Sequence, residues 1–403
     1  MTRPEVLFLS HCVPWPPDKG EKIRAWNTLR AAAAESEVHL ACLAANREET
    51  AVPAELRSLC RTVTIFPRHY GRDLARAGLR FLLTGACLNE EFYRHPALAR
   101  AVRRLAAERP LRAAVVSTVV MAPYVPSGLP VVMDLIDVDS EKWFQYAETR
   151  FPGPLFRLEA RRMRDREKTW GRRAKANLLT TRAEADLFLS FAPDAAAEVI
   201  ENGIDTDWFD PQKVAPVLPG RLYVTFCGSM DYYPNAEAAA WFAREVLPLW
   251  RIKRPEAEFV IVGRNPGPSV RALAGLPGVT VTGSVPDVRP FLRGAVAQVT
   301  PLRIARGIQN KVLEALAFGL PVLGSPAVAR TFGPDTPLGL IPCSGPEDYL
   351  AALENPPALH PEAIRDAVAL RFQWDRNLEV LRAALRRTLG EKAGGGPDCY
   401  AND

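Results

Sequence analysis

Apolar runs of strand length alternate with helix-length segments through both halves of this chain. In the first half the runs occupy residues 6–9, 38–43, 63–66, 113–117, 131–133, 176–180 and 198–200. In the second half they occupy residues 222–226, 259–262, 279–281 and 296–300. Such alternation is typical of doubly wound α/β domains, in which helices cover both faces of a mostly parallel sheet. A chain of 403 residues is too long for one ordinary core, so two such domains are predicted.

A proline-rich segment at 210–220 separates the two halves and reads as a linker. It predicts a first domain over residues 1–209 and a second over 221–373. A last helix over 374–392 is expected to pack back on the first domain, and the glycine-rich tail 393–403 is expected to be disordered. Open α/β domains bind ligands at the carboxyl ends of their strands, so we expect the two domains to face one another across a substrate cleft.

The net charge of +5 is too small to indicate nucleic-acid binding, but the basic residues are unevenly distributed. Residues 61–112 hold eleven arginines against four acidic residues, and residues 157–175 hold nine basic against three acidic residues. Both stretches read as helices. They favour a basic surface for anionic lipid headgroups or for a lipid-phosphate acceptor, with solvated arginine-rich helix faces as the alternative.

The seven cysteines show neither metal-ligand spacing nor the pattern of a disulfide framework. Several lie in apolar runs, where a free thiol behaves as a small hydrophobe, and this usage favours a reducing cytoplasm. Residues 1–4 lead directly into a strand, so no signal peptide is expected. No apolar run approaches the roughly 20 residues that span a bilayer. The protein is predicted to be cytoplasmic, either soluble or attached peripherally to the inner face of the membrane.

The stretch 303–323 carries the strongest functional signal. A polar turn containing Gly307 and Ile308 runs into a short helix with apolar residues at helical spacing, which ends at residues 319–321 and leads into a buried strand. The backbone N–H groups of such a turn attract phosphate, and Lys311 adds positive charge. Glu314, three residues later on one flank of the helix, can accept hydrogen bonds from ribose hydroxyls. The pattern predicts a nucleoside-diphosphate site, and an ordinary helix with a salt-bridged lysine and glutamate is the alternative.

This stretch resembles the donor-nucleotide motif of the family-4 glycosyltransferases, enzymes with the GT-B fold. The motif reads LEA-A-G-PV and stands here over residues 313–322. The family usually has a second glutamate eight positions before the one that matches Glu314, and this chain has Arg306 there. The resemblance implies that Glu314 holds the ribose, while Lys311 and Arg306 neutralise the departing diphosphate.

The loop after the first strand, residues 10–24, is stiffened by three prolines and lacks the Gly-x-Gly-x-x-Gly pattern of nicotinamide and flavin enzymes. It is similar to the loop that closes over the donor phosphates in GT-B glycosyltransferases. By that resemblance Gly20 and Arg24 would contact the donor, and a rigid connector is the alternative. His11 is the only histidine at the carboxyl end of a strand, and no histidine pairs with a cysteine at zinc spacing.

The second domain opens with a glycine directly after its first strand. Gly228 lets the backbone approach a phosphate, and Ser229 offers a hydroxyl donor. Many family-4 enzymes place a basic residue slightly downstream, where this chain has Asn235. Arg303 is therefore expected to add to the positive charge around the diphosphate.

Two further strands of the second half end at Gly263 and Gly283. Their positions match the base-binding wall of the family, with Gly283 and Val285 as the expected nucleobase contacts. Without the resemblance, each glycine indicates only a turn.

Three aspartates, Asp134, Asp137 and Asp139, crowd the end of one strand in the first half. Oxygen ligands in this pattern suit magnesium or manganese. GT-B enzymes usually work without a bound metal, so by resemblance neither a metal nor another resident cofactor is expected. The resemblance makes Asp137 an acceptor-side or sugar-side residue, whereas Asp139 or Ser140 is expected to cap the following helix.

The resemblance covers most of the chain, from the first-strand loop to the Trp374 helix. The runs 16–24, 228–232 and 234–235 are similar to a bacterial subgroup of sugar transferases associated with exopolysaccharide synthesis and the PEP-CTERM system. It implies transfer of a sugar, with retention at the anomeric carbon, from a nucleoside-diphosphate donor to a glycan or polyprenyl-linked acceptor. A nucleotide-sugar 2-epimerase of the same fold and a non-catalytic nucleotide-sugar-binding module remain as alternatives.

Overall fold

The structure, a computed structural model, describes residues 3–390, which form two compact units. The first unit contains residues 3–201 together with residues 375–390, and the second contains Asn202–Trp374. The proline-rich segment 210–220 belongs to the second unit. The expected disorder of residues 393–403, the end of the predicted last helix at 391–392 and Cys399 lie outside the described residues.

The first unit is built on a seven-stranded parallel sheet. Its strands are β1 (Glu5–Ser10), β2 (Glu37–Ala44), β3 (Thr62–Pro67), β4 (Leu111–Ser117), β5 (Val131–Ile136), β6 (Ala176–Leu179) and β7 (Ala197–Val199). They lie in the order β3-β2-β1-β4-β5-β6-β7. Residues 6–10 of the central strand β1 are fully buried between β2 and β4. A strand covered on both faces has no solvent side, which explains why these strands read as unbroken apolar runs.

Helices connect the strands of the first unit. They are α1 (Gly20–Glu35), α2 (Ala54–Leu59), α3 (Tyr70–Thr84), α4 (Leu88–Phe92), α5 (Pro96–Glu108), α6 (Asp139–Thr149), α7 (Gly153–Arg173) and α8 (Arg182–Phe191). Two 3₁₀ turns, Glu48–Thr50 and Val119–Tyr124, lie between them. The arginine-rich stretches of the sequence fall mainly on α3, α5 and α7, as expected for helical segments.

The second unit contains a six-stranded parallel sheet. Its strands are β8 (Tyr223–Cys227), β9 (Glu258–Val262), β10 (Val279–Gly283), β11 (Ala297–Thr300), β12 (Val322–Gly324) and β13 (Leu340–Pro342). They lie in the order β10-β9-β8-β11-β12-β13. The chain therefore starts in the middle of the sheet, winds to one edge, and returns to the middle before it winds to the other edge.

The helices of the second unit pack on both faces of this sheet. They are α9 (Tyr233–Trp241), α10 (Leu247–Lys253), α11 (Pro268–Arg271), α12 (Arg289–Gly294), α13 (Asn310–Ala317), α14 (Pro326–Arg330), α15 (Pro346–Glu354) and α16 (Pro361–Arg371). The sequence between the first two strands of this unit predicts a single helix over 236–250, but a π-helical segment, Phe242–Val246, separates α9 from α10. Pro248 has no N–H to donate to the carbonyl four residues earlier, so regular α-helical bonding cannot continue there.

The chain ends in two helices, α17 (Trp374–Asn377) and α18 (Glu379–Leu389). Helix α18 belongs to the first unit, where it packs against α1 and the strands β4 and β5. The Arg386 guanidinium lies 2.9 Å from the Glu35 carboxylate at the end of α1. The last helix thus returns to the fold in which the chain began.

The predicted fold class, two doubly wound α/β domains, is confirmed by the two parallel sheets. Strand β13 is absent from the sequence prediction, because only Leu340 of its three residues is buried and the strand ends at a proline, so no clear apolar run marks it. The six cysteines within the described residues are buried free thiols, as predicted. None of the helices within residues 3–390 combines the length and the apolarity that crossing a bilayer requires.

Candidate functional site

The middle of the second sheet is where a ligand is expected. The chain leaves β8 towards β9 and β10, and leaves β11 in the opposite direction towards β12 and β13. The loops after β8 and β11 therefore part from one another and open a crevice at the carboxyl edge of the sheet. The residues predicted to bind a diphosphate, 228–229 and 303–311, lie in these two loops and at the start of α13.

Lys311 lies in the first turn of α13 and reaches across to the loop after β8. Its Nζ donates to Asn235 Oδ1 at 2.5 Å and lies 4.7 Å from the centre of the Phe226 ring. Asn235 Nδ2 in turn donates to the Ser229 carbonyl at 2.9 Å. Burial lowers the pKa of Lys311 to about 8. An amine with further N–H bonds to donate is thus held beside the backbone of residues 228–229.

Gly228 makes room for this amine. A Cβ at this position would lie 2.8 Å from Asn235 Nδ2 and 3.2 Å from Lys311 Nζ. Gly263 is required for a similar reason, because a Cβ there would lie 1.7 Å from the Gly228 carbonyl oxygen. Both glycines permit a close approach of loop backbone at the carboxyl edge of the sheet.

Glu314 follows Lys311 by one turn on α13 and is partly buried. Burial raises the pKa of Glu314 to about 7, although Lys311 opposes the shift. Within residues 3–390, neither a hydrogen bond nor an ion pair engages the Glu314 carboxylate. Its oxygens are therefore available to hydroxyl donors. The alternative of a salt-bridged Lys311 and Glu314 is not observed.

The turn before α13 has a backbone suited to an anion. Gly307 has a φ of 57°, a left-handed conformation that glycine adopts without strain. Gln309 Nε2 donates back to the carbonyls of Arg306 and Gly307, at 2.9 and 3.5 Å. Among the described residues no side chain caps the first turn of α13. Its terminal N–H groups consequently remain available to an anion.

The other residues predicted in this turn differ in placement. The Arg303 side chain is 67% exposed, and its Nη1 lies 3.2 Å from Glu237 Oε1 on α9. Arg306 is half-buried. Ile308 is buried, and its carbonyl accepts from Asn202 Nδ2 at 3.5 Å. The structure therefore fixes Lys311 at the crevice, whereas the charge of Arg303 is partly neutralised by Glu237.

The loops after β8 and β9 are tied together by Asp231. Its carboxylate accepts from the Ser229 hydroxyl at 2.6 Å and from Asn265 Nδ2 at 2.9 Å. The Ser229 hydroxyl is thus committed to the turn, which argues against its predicted contact with the diphosphate and leaves its backbone N–H for that role. Gly283 ends β10 with a φ of 70°, and Val285 packs against the core. The nucleobase contacts assigned to Gly283 and Val285 stay predictions.

In the first unit, Gly20 starts α1 and is exposed, but Arg24 is 1% exposed. The Arg24 guanidinium donates twice to Asp134, from Nη2 at 2.8 Å and from Nε at 3.1 Å. It also donates to the Ile200 carbonyl at 2.6 Å. The predicted contact between Arg24 and the donor phosphates is wrong, because its donors are used inside the unit. Arg24 instead holds α1 against β5.

The three aspartates at the end of β5 make separate contacts. Asp134 pairs with Arg24, and Asp137 Oδ1 accepts from the Thr180 hydroxyl at 2.5 Å. Burial raises the pKa of Asp139, although His11 and other neighbours oppose the shift. Among residues 3–390, His, Cys, Asp and Glu side chains form no group of three suited to a metal ion. The acceptor-side role of Asp137 stays a prediction.

Helix α6 is capped by side chains from distant parts of the chain. The predicted cap by Asp139 or Ser140 is wrong, since neither side chain bonds the first turn. Instead, Glu167 on α7 accepts from the Ser140 N–H at 3.0 Å, and Glu184 on α8 accepts from the Val138 N–H at 2.8 Å. Burial raises the pKa of Glu167 to about 8. These partners lie 27 and 46 residues away, beyond the reach of a local capping pattern.

His11 follows β1 within a polar cluster at the carboxyl edge of the first sheet. Its Nδ1 lies 3.2 Å from the Ser117 carbonyl oxygen, and its Nε2 lies 3.7 Å from Glu21 Oε2. Burial lowers the pKa of His11, but Glu21 and the Ser117 carbonyl outweigh it, so the pKa lies above its usual value. The ring of Tyr93 packs edge-on at 5.9 Å. Glu21 is a partner that sequence reasoning missed, because no spacing rule links it to His11.

Comparisons with known proteins agree with this geometry. Residues 221–355 match the family model of the glycosyl transferases group 1. These residues contain the crevice, with Gly228, Lys311 and Glu314. A search of the curated proteins found no sequence relative.

Solved structures share the fold along almost the whole chain. Sucrose-phosphate synthase from Thermosynechococcus elongatus has a TM-score of 0.67 at 16% identity, over 96% of this chain and 100% of that one. Anabaena HepE in complex with UDP and glucose has a TM-score of 0.64 at 14% identity, over 96% and 99%. A putative UDP-N-acetylglucosamine 2-epimerase from Listeria monocytogenes has a TM-score of 0.55 at 13% identity, over 99% and 100%. The chain therefore has the GT-B fold, and residues 221–355 match the glycosyl transferases group 1 family model.

Proposed function

We propose that this protein transfers a sugar from a nucleoside-diphosphate-sugar to a glycan or polyprenyl-linked acceptor. The observation that carries the proposal is the pairing of Lys311 and Glu314 on α13. Lys311 holds an amine beside the backbone of Gly228, and one turn later Glu314 holds a carboxylate with no partner within the described residues. A cation beside exposed N–H groups suits a diphosphate, and an available carboxylate suits ribose hydroxyls.

The chemistry follows from where charge develops. When the bond between the anomeric carbon and the diphosphate breaks, negative charge accumulates on the leaving diphosphate. Lys311, the uncapped start of α13 and the backbone after β8 would stabilise that charge, with Arg303 and Arg306 as further cations. Because positive charge and amide dipoles supply this stabilisation, we propose that the reaction uses no bound metal.

The finer assignment rests on the family-4 resemblance of the sequence. It supports retention at the anomeric carbon and a place among the bacterial transferases that build exopolysaccharide or other cell-surface polysaccharide. HepE was solved with UDP and glucose, which makes UDP-glucose the first donor to test. A polyprenyl-linked acceptor would bring the protein to the cytoplasmic face of a membrane as a peripheral protein. On the first unit, we propose His11 together with Asp137 as acceptor-side residues.

Two alternatives have specific support. The similarity in fold to the putative 2-epimerase favours isomerisation of a nucleotide sugar. A non-catalytic binding module is favoured by Arg306, which stands where the family usually has its first glutamate. Neither alternative changes the predicted contacts of the nucleotide with Lys311 and Glu314.

Incubation with sugar-labelled UDP-, GDP- and ADP-sugars separates the three functions. We expect acceptor-dependent release of nucleotide when a lipid extract containing polyprenyl-linked sugars is supplied, with label recovered in the lipid phase. Label in an isomerised nucleotide sugar would instead establish an epimerase. Saturable binding without turnover of any donor would establish a binding module. The Lys311→Met variant is the control that must lose each of these activities.

The affinity for the donor should decrease at both low and high pH, which gives the pH profile an acidic and an alkaline limb. Below about pH 7 the Glu314 carboxylate is protonated and loses acceptors for the ribose, and above about pH 8 Lys311 is neutral and loses its charge. Affinity for UDP-glucose, measured by calorimetry, should therefore be highest between these values. The esterified diphosphate of this ligand does not titrate in this range. Glu314→Gln should remove the acidic limb alone and Lys311→Met the alkaline limb alone, and unchanged limbs would exclude these two residues.

A further inference from the structure

Helix α3 is apolar on the side that faces solvent. Its inner side is buried through Ala77 and Phe81. On its outer side Leu79, Leu82 and Leu83 are 59%, 71% and 73% exposed. A helix that packs on a globular unit normally presents polar residues outward. Three exposed leucines within two turns therefore indicate a surface that contacts something else.

Exposed leucines also lie near the start of α7. Arg162 Nη1 donates to the carbonyls of Phe81 and Ala86, at 2.9 and 3.0 Å, which joins α7 to the end of α3. Leu158 and Leu155 lie four and seven residues before Arg162, on the same side of α7. They are 36% and 47% exposed. The exposed leucines of the two helices thus lie along neighbouring elements.

Unpaired positive charge accompanies these leucines. The leucine–arginine face, as we call it, consists of Leu79, Leu82, Leu83, Leu155 and Leu158, together with Arg157 and Arg161, which flank Leu158 one residue before it and three residues after it on α7. Both of its arginines are exposed, and among the described residues no carboxylate forms an ion pair with either. Residues 70–92 and 151–166 hold eight arginines against five acidic residues. Four of those five acidic side chains are bonded to arginines or backbone N–H groups inside the unit, so they do not neutralise the face.

We propose that the leucine–arginine face binds the surface of a bilayer rich in anionic lipids. The leucines would enter the boundary between headgroups and acyl chains, and the arginines would contact lipid phosphates. Exposed apolar side chains beside unpaired cations are the pattern of helices that lie in the membrane interface. Arginines alone would suit a soluble anion, whereas leucines alone would suit a second copy of the chain. The inference does not rest on the proposed transferase activity, since it requires no donor.

Cosedimentation of the full chain with vesicles tests the proposal. We expect binding to vesicles of phosphatidylglycerol and phosphatidylcholine in equal parts, and none to phosphatidylcholine alone. Replacing Leu79, Leu82 and Leu83 together with glutamine should weaken binding at least about tenfold, because less apolar area enters the interface. The double variant Arg157→Gln/Arg161→Gln should weaken binding about thirtyfold, from the usual contribution of each cation near an anionic surface. Added salt should weaken binding of the wild type as well.

The matched control removes equally exposed apolar side chains elsewhere. Ile252 and Leu370, in the second unit, are 78% and 71% exposed, and replacing both with glutamine should leave vesicle binding unchanged. Three results would overturn the proposal. They are equal binding to both vesicle types, full binding by the leucine variant, or a dimer in the wild type that is absent in the leucine variant. The last would assign the face to a second copy. UDP-glucose affinity without vesicles should be the same in all these variants, which separates this test from that of the donor site.

Discussion

Replacing Lys311 with methionine is expected to weaken binding of a nucleoside diphosphate by about ten- to a hundredfold, the usual loss for a charge-assisted hydrogen bond. Methionine keeps an unbranched apolar chain over the Phe226 ring, so the loss reports the amine rather than the packing. Titration calorimetry with UDP, GDP and ADP at pH 7, where Lys311 is protonated, measures the effect. The loss should be similar for all three bases, since Lys311 is proposed to contact the diphosphate.

The matched control is Lys253→Met. Lys253 is an exposed lysine at the end of α10, which leads to the amino edge of the sheet rather than the carboxyl edge. This variant should bind each nucleotide as the wild type does. Unchanged affinity in Lys311→Met would remove Lys311 from the site and, with it, the main support for the proposed donor crevice.

Replacing Asp134 with alanine is expected to destabilise the first unit by about 3–5 kcal/mol, the usual cost of leaving one member of a buried ion pair alone. The Arg24 and Asp134 side chains are 1% and 0% exposed, so the remaining guanidinium could not be solvated without opening the unit. Urea unfolding followed by circular dichroism measures the shift of the first unit's transition. A donor titration should show that the folded variant still binds nucleotide, since Arg24 does not contact the donor.

Two further variants serve as controls for the effect of Asp134→Ala. Removing the exposed pair Arg182 and Asp186, 2.8 Å apart on α8, should change the same transition by at most about 1 kcal/mol. The double variant Arg24→Met/Asp134→Leu should recover most of the lost stability, because no unpaired charge stays buried. A small effect of Asp134→Ala, similar to that of the exposed pair, would contradict the structural role assigned to Arg24.

Periodicity was sufficient to predict the main elements of the fold. The runs at 6–9 and 259–262 are recognisable as strands because burial on both faces requires unbroken apolar sequence, and that requirement acts within a few residues. The helix predicted over 236–250 shows where this reasoning ends. Its apolar spacing continues through the segment, but Pro248 interrupts the backbone hydrogen bonds that the spacing alone does not describe.

The proximity of Lys311 and Glu314 was predictable, because they lie three residues apart on one helix. Asn235 was not: its sequence position shows only that a basic residue is missing, whereas the structure shows its amide holding the Lys311 amine. The contacts within the first unit were less predictable still. Arg24 was assigned to the donor from its loop, yet its partner Asp134 lies 110 residues away.

The exposure of the outer side of α3 was likewise not predictable from the sequence. Its sequence shows leucines on more than one side of the helix, and periodicity cannot say which of them pack inward. Only the contacts of α3 with α4 and α7 show that Phe81 is buried while Leu82 and Leu83 face solvent.

The sequence by itself determined the alternation of strands and helices, the two-domain plan and the helix that brings a lysine and a glutamate together, because these depend on neighbours a few residues apart. The tertiary structure alone decided which charges are buried in pairs, which carboxylates cap α6, and which leucines remain exposed. Those outcomes depend on desolvation and packing between segments far apart in the chain, and no local pattern records them.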